Sequence, residues 1–334
     1  MKEYQNMDKN FIVFEAIRLD KFLASQIDAS RNQIEQLIKK EYVKVDGKIV
    51  TKTGLKLKEN QSIDVYFPQT EFNPQKDEDF VINSLEDKII EIIYEDDYIL
   101  VVNKPYNLTV HDAPSVKDAT LVDWLKLKNI SLSTISGEER HGIVHRLDKG
   151  TSGVMVVAKT NEAHIGLSKQ LEDKTMGRYY LAIIDLPLKE NTLVEKSIAR
   201  NPNNRLKMAI DENGRIAKSA FSKIALSDNE KYELISAKLF TGRTHQIRVH
   251  LSSMNRHILG DNLYGFKGEL NKINRFYLHA YYLYLTHPIT NKQMCFKANL
   301  PEDMTNFLNT NFQKGNINDK IDESYILNSF TSFI

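Results

Sequence analysis

The sequence contains a single cysteine, Cys295. That excludes a disulfide framework and any cysteine-rich zinc or iron–sulfur site, and it fits a reducing compartment. Long apolar runs are missing too: the stretch at 98–102 is strand-sized, far below the roughly 18 residues of a membrane span. The first ten residues, MKEYQNMDKN, lack the apolar stretch of a signal peptide. Neither GxxxxGKS/T nor GxGxxG occurs, which removes two common phosphate-cradling loops and gives no reason to expect a nucleotide cofactor. A surplus of one charge sign is also absent, with 45 Lys+Arg against 44 Asp+Glu. What remains is an ordinary globular composition, 41% hydrophobic and 27% charged over 334 residues, enough for about two domains with unstapled cores. A soluble cytoplasmic protein without membrane contact is expected.

The balanced total hides strongly charged segments. Residues 16–58 carry +5, residues 71–98 carry −8 and residues 196–275 carry +8. Two basic blocks flanking an acidic one suggest two surfaces that meet a polyanion, although solvated faces give the same pattern. In the first block Leu19, Phe22, Leu23 and Ile27 form the stripe of an amphipathic helix over 18–27. SRNQIEQLIKK (30–40) predicts a second, with Ser30 and Gln33 at capping-box spacing and Ile34, Leu37 and Ile38 as its apolar face. Residues 42–50 read as two short strands about an Asp46-Gly47 turn, and 62–67 as a further strand.

Beyond residue 89, strand-like runs recur: IIEIIY, YILVVN, GVMVVAK, YYLAII, YELISAKL, IRVHL and YYLYLTH. Helical patterns lie around 119–128 and 161–173. Strands outnumber helices without strict βαβ alternation, so an α+β fold is expected, a mixed, largely antiparallel sheet with flanking helices. The expected organisation is an extension (1–15), a helix–helix–hairpin module (16–68), an acidic linker containing Pro74 (69–88), the sheet domain (89–310) and a loosely held polar tail (311–334).

The densest chemistry lies in GIVHRLDKGTSGVMVVAK, residues 142–159. Asp148 stands at a strand-to-loop junction before Gly150 and Gly153, held on a rigid element yet open to a ligand. Taken alone it is better explained by an Asx turn or a cap. Arg146 can share its face in an extended segment. In TGRTHQIRVHL (241–251), Arg243, His245 and Arg248 fall within six positions beside a strand pattern. Arginines at a core edge need anionic partners, either a carboxylate or phosphates. The pairs His141/His145 and His245/His250 lack the spaced carboxylate or cysteine of a metal site, so no metal is expected.

Six segments, in order, resemble the RluA-type pseudouridine synthases: EDDYILVVNKP (95–105), GIVHRLDKGTSGVMVVAK (142–159), RYYLAI (178–183), TGRTHQIRVHL (241–251), LGDNLYG (259–265) and LHAYYLYLTHP (278–288). The similarity covers about 16–305. RLDKFL (18–23), SRNQIEQLI (30–38) and VKVDGK (43–48) resemble an S4 RNA-binding domain. VVNKPYNLTVH and ARNPNNRLKMAI (199–210) are most similar to the D-type enzymes of the large ribosomal subunit. Two positions depart from the usual pattern: Arg178 stands where lysine is frequent, and Asp112 where proline often follows the histidine matched by His111.

The resemblance implies a defined chemistry. The glycosidic C–N bond of uridine breaks, the base turns, and it rejoins through carbon, with no net redox change and hence no implied cofactor. Asp148 matches the family's essential carboxylate, acting as nucleophile or as base at the sugar. Arg248 matches the arginine that pairs with it, and Tyr180 the tyrosine that packs on the target base. Arg146 matches the residue that fills the place of a base taken out of its stack. His145, Arg243 and His245 are the neighbouring candidates for RNA contact. In the S4-like module the candidates are Arg31, Lys39, Lys40, Lys44 and Lys48. The implied partner is large-subunit ribosomal RNA or its assembly intermediate, met by a monomer. Rival readings are the same chemistry at other ribosomal or transfer RNA sites, and a non-catalytic RNA-binding assembly factor. The latter has no need of Asp148, Tyr180 and Arg248 together.

Overall fold

The computed structural model describes residues 9–27, 31–66, 77–112, 116–135, 141–265, 273 and 275–333, and of 31–33 the backbone alone. It begins with β1 (Lys9–Ile12), α1 (Leu19–Gln26), α2 (Arg31–Lys39), β2 (Val43–Val45), β3 (Lys48–Ile49) and β4 (Ser62–Val65). The stripe expected of α1 is buried, and Leu19, Phe22 and Leu23 meet Ile34, Leu37 and Ile38 of α2 in one cluster. Arg18 grips Asp20 in the first turn of α1 through two hydrogen bonds of 2.8 and 3.0 Å. A carboxylate there also suits the helix dipole. Asp46 and Gly47 both take positive φ, as a two-residue hairpin turn demands. β1, which the sequence pattern does not reveal, pairs with β4 and completes a sheet of order β1-β4-β2-β3. Ser30 and the side chain of Gln33 lie outside the described residues, and the expected capping box with them.

The segment read as a linker carries α3 (Glu78–Leu85). Asp77 starts it by accepting the N–H groups of Asp79 and Phe80, and Val81 and Leu85 are buried. The acidic run is thus partly a capped helix N-terminus rather than chain in solvent.

The second unit runs β5 (Glu91–Glu95), β6 (Ile99–Lys104), α4 (Leu121–Leu127), β7 (Ser152–Ala158), α5 (Asn161–Glu172), β8 (Gly177–Asp185), β9 (Thr192–Glu195), β10 (Ile198–Arg200), β11 (Met208–Ile210), β12 (Lys218–Leu226), β13 (Tyr232–Leu239), α6 (Gln246–Ser252), β14 (His257–Ile258), β15 (Leu278–Thr286), β16 (Gln293–Lys297) and α7 (Glu302–Asn311). Ten strands form one sheet of order β5-β6-β7-β15-β8-β13-β12-β9, with β14 on β8 and β16 on β15. Among the described pairs β7–β15 alone is parallel. This is the mixed, largely antiparallel α+β architecture expected. Along β8, Tyr180, Ala182 and Ile184 join the core on one face and Tyr179, Leu181 and Ile183 that on the other. Burial on both faces is why YYLAII reads as a run and not as an alternation.

Two expectations need correction. IRVHL, expected as a strand, lies in α6. Gln246 to Leu251 are all buried, and Ile247, Val249 and Leu251 alternate with Gln246, Arg248 and His250, so no helical period shows and the pattern is that of a strand. Gln246 fixes the entry turn. Its carbonyl oxygen accepts from Arg243 N–H (2.9 Å) and the Thr241 hydroxyl (2.8 Å), while its amide donates to Lys218 O and Ser219 Oγ. The polar tail is not loosely held either. It forms α8 (Ile317–Lys320) and α9 (Glu323–Asn328), and Ile321, Ile326 and Phe330 are buried against the back of the sheet. Its polar letters clothe the outer side of that packing.

The Phe330 ring is fully buried, 5.6 Å from that of Tyr179. Phe330→Ala should therefore lower the unfolding free energy by about 3–5 kcal/mol in urea titrations. A tail held loosely would give under about 0.5 kcal/mol.

Candidate active site

Asp148 occupies a turn between segment 141–147 and β7. The approach is not a strand, as expected, but a loop tied to β7 by the bridge Ile143↔Val157. His145 Nε2 adds a second tie by accepting the Val156 N–H at 3.1 Å. Burial drives His145 down to about 3, which leaves it neutral. The expected RNA contact at His145 thus gives way to a bond that anchors the loop. Thr151 N–H returns to the Asp148 carbonyl at 3.0 Å. Two glycines permit this turn. A Cβ at Gly153, whose φ is +119°, would meet Ala280 O at 2.1 Å, and one at Gly150 would meet the Phe276 ring at 2.5 Å.

The Asp148 carboxylate is 19% exposed and accepts from Arg248 Nη1 at 3.1 Å. Behind it, Arg248 donates from Nε and Nη2 to both oxygens of Asp261, at 2.7 and 2.9 Å. Asp261 Oδ1 also accepts the N–H groups of Leu263 and Tyr264. The guanidinium lies 4.9 Å from the Tyr264 ring centre and 4.5 Å from that of Phe276. Burial opposes its charge. The hydrogen bonds and charges of Asp261, then those of Asp148, outweigh burial and hold Arg248 above its ordinary pKa. The cation is permanent and confined to one geometry.

Other groups converge on the same turn. His245, at a left-handed φ of 56°, places Nε2 4.0 Å from Asp148 and Nδ1 2.8 Å from the Tyr264 hydroxyl. That hydroxyl accepts the Met208 N–H at 2.7 Å. Its own proton can then go to His245 Nδ1, leaving the ring N–H on Nε2, toward Asp148. Burial holds His245 below the usual histidine range despite Asp148. Tyr180, 6% exposed on β8, is pushed up to about 12 by burial, within the field of Arg178 and Asp148.

Lys104, at the end of β6, is fully buried. It donates to the carbonyls of Pro105 and Leu108 at 2.9 Å and of Lys149 at 3.5 Å, tying the 105–108 loop to the residue after Asp148.

Asp148, Tyr180, Arg248 and His245 are thus brought together. Arg146 is exposed two residues before Asp148, and Arg243 donates to Ile216 O at 2.9 Å at the edge of the site. His250 commits both ring nitrogens to Ser219 and the Lys196 carbonyl. Lys39, Lys40, Lys44 and Lys48 lie on the separate N-terminal module. Lys39 pairs with Glu35 at 3.3 Å and Lys44 stands over the Tyr66 ring, while the Arg31 side chain is outside the described residues. Asp261, Tyr264, Phe276 and Lys104 were not anticipated. The signal was faint: an aspartate inside LGDNLYG, and a lysine closing an apolar strand before Pro105.

A family model for RNA pseudouridylate synthases matches residues 98–253, and one for S4 domains matches 17–63. An RNA pseudouridine synthase of Helicobacter pylori strain J99 is 49% identical over 320 residues, 94% of this chain and 95% of the relative. The chain belongs to the RNA pseudouridine synthase family. Two relatives named ribosomal large subunit pseudouridine synthase D come from Zymomonas mobilis (38% identical, 86% of this chain, 91% of the relative) and Nitrosomonas europaea (35%, 87% and 83%). Human RNA pseudouridylate synthase domain containing 1 superposes with TM-score 0.53 at 24% identity, over 64% of this chain and 84% of its own, a likeness of fold. The synthase therefore joins an S4 domain to an isomerase domain.

If Asp261 positions Arg248, Asp261→Asn should slow single-turnover pseudouridine formation about tenfold or more while RNA affinity in filter binding stays within about threefold. Equal losses in both would show that Arg248 serves RNA binding instead.

Proposed function

We propose that this synthase converts uridines of large-subunit ribosomal RNA to pseudouridine, with Asp148 as the catalytic carboxylate. What carries the reading is a partly exposed carboxylate fixed at 3.1 Å by a buried arginine that a second carboxylate holds from behind. Arg248 sets a fixed positive charge beside this carboxylate, and that charge stays in place when bound RNA excludes water. The carboxylate then attacks the anomeric carbon and displaces N1 of uracil, or takes the proton from the adjacent sugar carbon so that uracil leaves. The freed base turns and C5 bonds to the anomeric carbon, as the Asp148 ester bond breaks on the first route or as Asp148 returns the proton to the sugar carbon on the second. C5 loses its proton and N1 ends with one, so no atom or electron is gained overall. Tyr180, kept protonated by burial, offers a ring face to the base and a hydroxyl for proton traffic at C5.

The ribosomal assignment rests on the two relatives named for the large subunit, the S4 domain and the second basic block. Part of that block is the hairpin β10–β11, where Arg200, Arg205 and Lys207 lie near an exposed Leu206. RNA is gripped largely through phosphate and shape.

Asp148→Asn keeps the shape of the side chain but removes the base or nucleophile. It should cut tritium release from carbon-5-labelled uridine RNA by about 10²–10⁴-fold with RNA binding retained. Turnover within about tenfold of wild type would sink the assignment. A site-by-site pseudouridine map of ribosomal and transfer RNA with and without the protein tests the substrate.

Replacing Lys39, Lys40, Lys44 and Lys48 by alanine should flatten the log K against log salt slope by about 0.7 for each phosphate that the domain no longer neutralises. The single-turnover rate at saturating RNA should hold. An unchanged slope on the same RNA would mean that this face of the S4 domain does not meet phosphate.

A further inference from the structure

Arg178 begins the buried part of β8, two residues before Tyr180 and on the same face of the strand. It is 8% exposed. Its Nε is sealed from solvent with no partner, and the guanidinium forms no hydrogen bond or ion pair among the described residues. Its Nη1 rests on the bare backbone of Gly242, where an added Cβ would come within 2.7 Å. Gly242 belongs to the loop that carries Arg243 and His245 toward α6. Burial opposes the charge of Arg178, and the neighbouring Arg243 opposes it further. Arg243 in turn feels Arg215. Three arginines therefore crowd one loop at the edge of the site, and among the described residues no carboxylate pairs with Arg178.

A guanidinium buried without an anion is costly, and such a feature marks a place where folding has been subordinated to binding. Arg248 in the same site shows the ordinary solution, a carboxylate fork. Arg178 has a comparable depth and lacks one. We propose that Arg178 binds a backbone phosphate of the RNA at or next to the target uridine, and that this contact sets the base in register on Tyr180. The inference rests on the reading of Asp148 and Tyr180 as the uridine site and adds to it a residue that fixes the strand. A planar fork meets two phosphate oxygens at once, and its attachment to the strand that carries Tyr180 leaves little freedom between the two contacts.

The test is a cycle between the arginine and the phosphates. Single-turnover kinetics are measured on one RNA substrate and on versions with a neutral methylphosphonate at each phosphate flanking the target. In wild type, one of these replacements should cut the rate at subsaturating enzyme by about tenfold or more. In Arg178→Met the same replacement should cost under about threefold, because the partner is already gone. Arg178→Lys should recover part of the rate on the natural RNA. The thermal midpoint of Arg178→Met should be unchanged or raised, since an apolar side chain replaces an uncompensated charge. Arg178→Gln serves for the same cycle if the methionine variant does not fold. Additive losses at every phosphate, or a lowered midpoint with no coupling, would make Arg178 a structural residue and overturn the proposal. Absence of turnover by the wild type on every RNA tried would overturn the reading of the site itself, and the proposal with it.

Discussion

Arg248 carries one positive charge and faces two carboxylates, and the site depends on how it divides its donors. Nε and Nη2 are committed to Asp261, which is 1% exposed at its side chain, and Nη1 reaches the partly exposed Asp148. The fork to Asp261 satisfies a buried acid and fixes the plane of the guanidinium. The remaining donor orients Asp148 without cancelling its charge, because the three groups together still carry one net negative charge. A cation paired with Asp148 alone would hold the carboxylate but neutralise the pair. Removing Arg248 would leave Asp261 buried and uncompensated, a loss of about 3–5 kcal/mol.

That arrangement joins distant parts of the chain: the turn after 141–147, helix α6, the 259–265 segment and the residues that lead into β15. Close approaches make the meeting possible. Phe276 can stand beside Arg248 because Gly150 leaves room for its ring, and Gly260, at a φ of +86°, passes where a Cβ would meet Arg275 O at 2.2 Å. Lys104 adds a tether from the end of β6 to the carbonyls around the Asp148 turn. Burial draws its pKa down to about 7, and the charge of Asp148 opposes that fall. The acidic turn and the buried amine are thus mutually favourable neighbours.

The sequence pattern made the fold class, both helices of the S4 domain, its hairpin and most of the central strands legible, because each follows a period that burial imposes. It misled where burial is complete. The residues of α6 from Gln246 to Leu251 have no polar face to show, and their regular alternation of apolar residues suits a strand equally well. The C-terminal segment failed in the opposite sense, because Ile321, Ile326 and Phe330 are too widely spaced among polar residues to read as a core. At the site, Asp148, Tyr180 and Arg248 could be named because the segments that hold them match those of the family in order and spacing. Asp261 and Lys104 could not, since their importance comes from contacts with residues distant in the chain, which leave no local trace. His145 lies in the densest motif of all, yet its bond to the Val156 N–H makes it part of the frame.

The strand β8 shows why the back of the sheet matters to the front. Tyr179 and Tyr180 are adjacent and point to opposite cores. Tyr180 lies within the field of Asp148, while Tyr179 packs edge-on against Tyr284 and near Phe330, with ring centres 5.6 Å apart in each case. On the proposed reading, a base stacked on Tyr180 must find that ring in one position, and its hydroxyl alone does not set one. The backbone of β8 sets it, held by β15 on one side and β13 on the other and pressed from behind by the aromatic layer under the C-terminal helices. A sheet covered on both faces has little room to shift, since interiors packed to crystal density transmit displacement rather than absorb it. The C-terminal segment therefore contributes to the site at a distance, by removing the freedom of the strand on which Tyr180 stands.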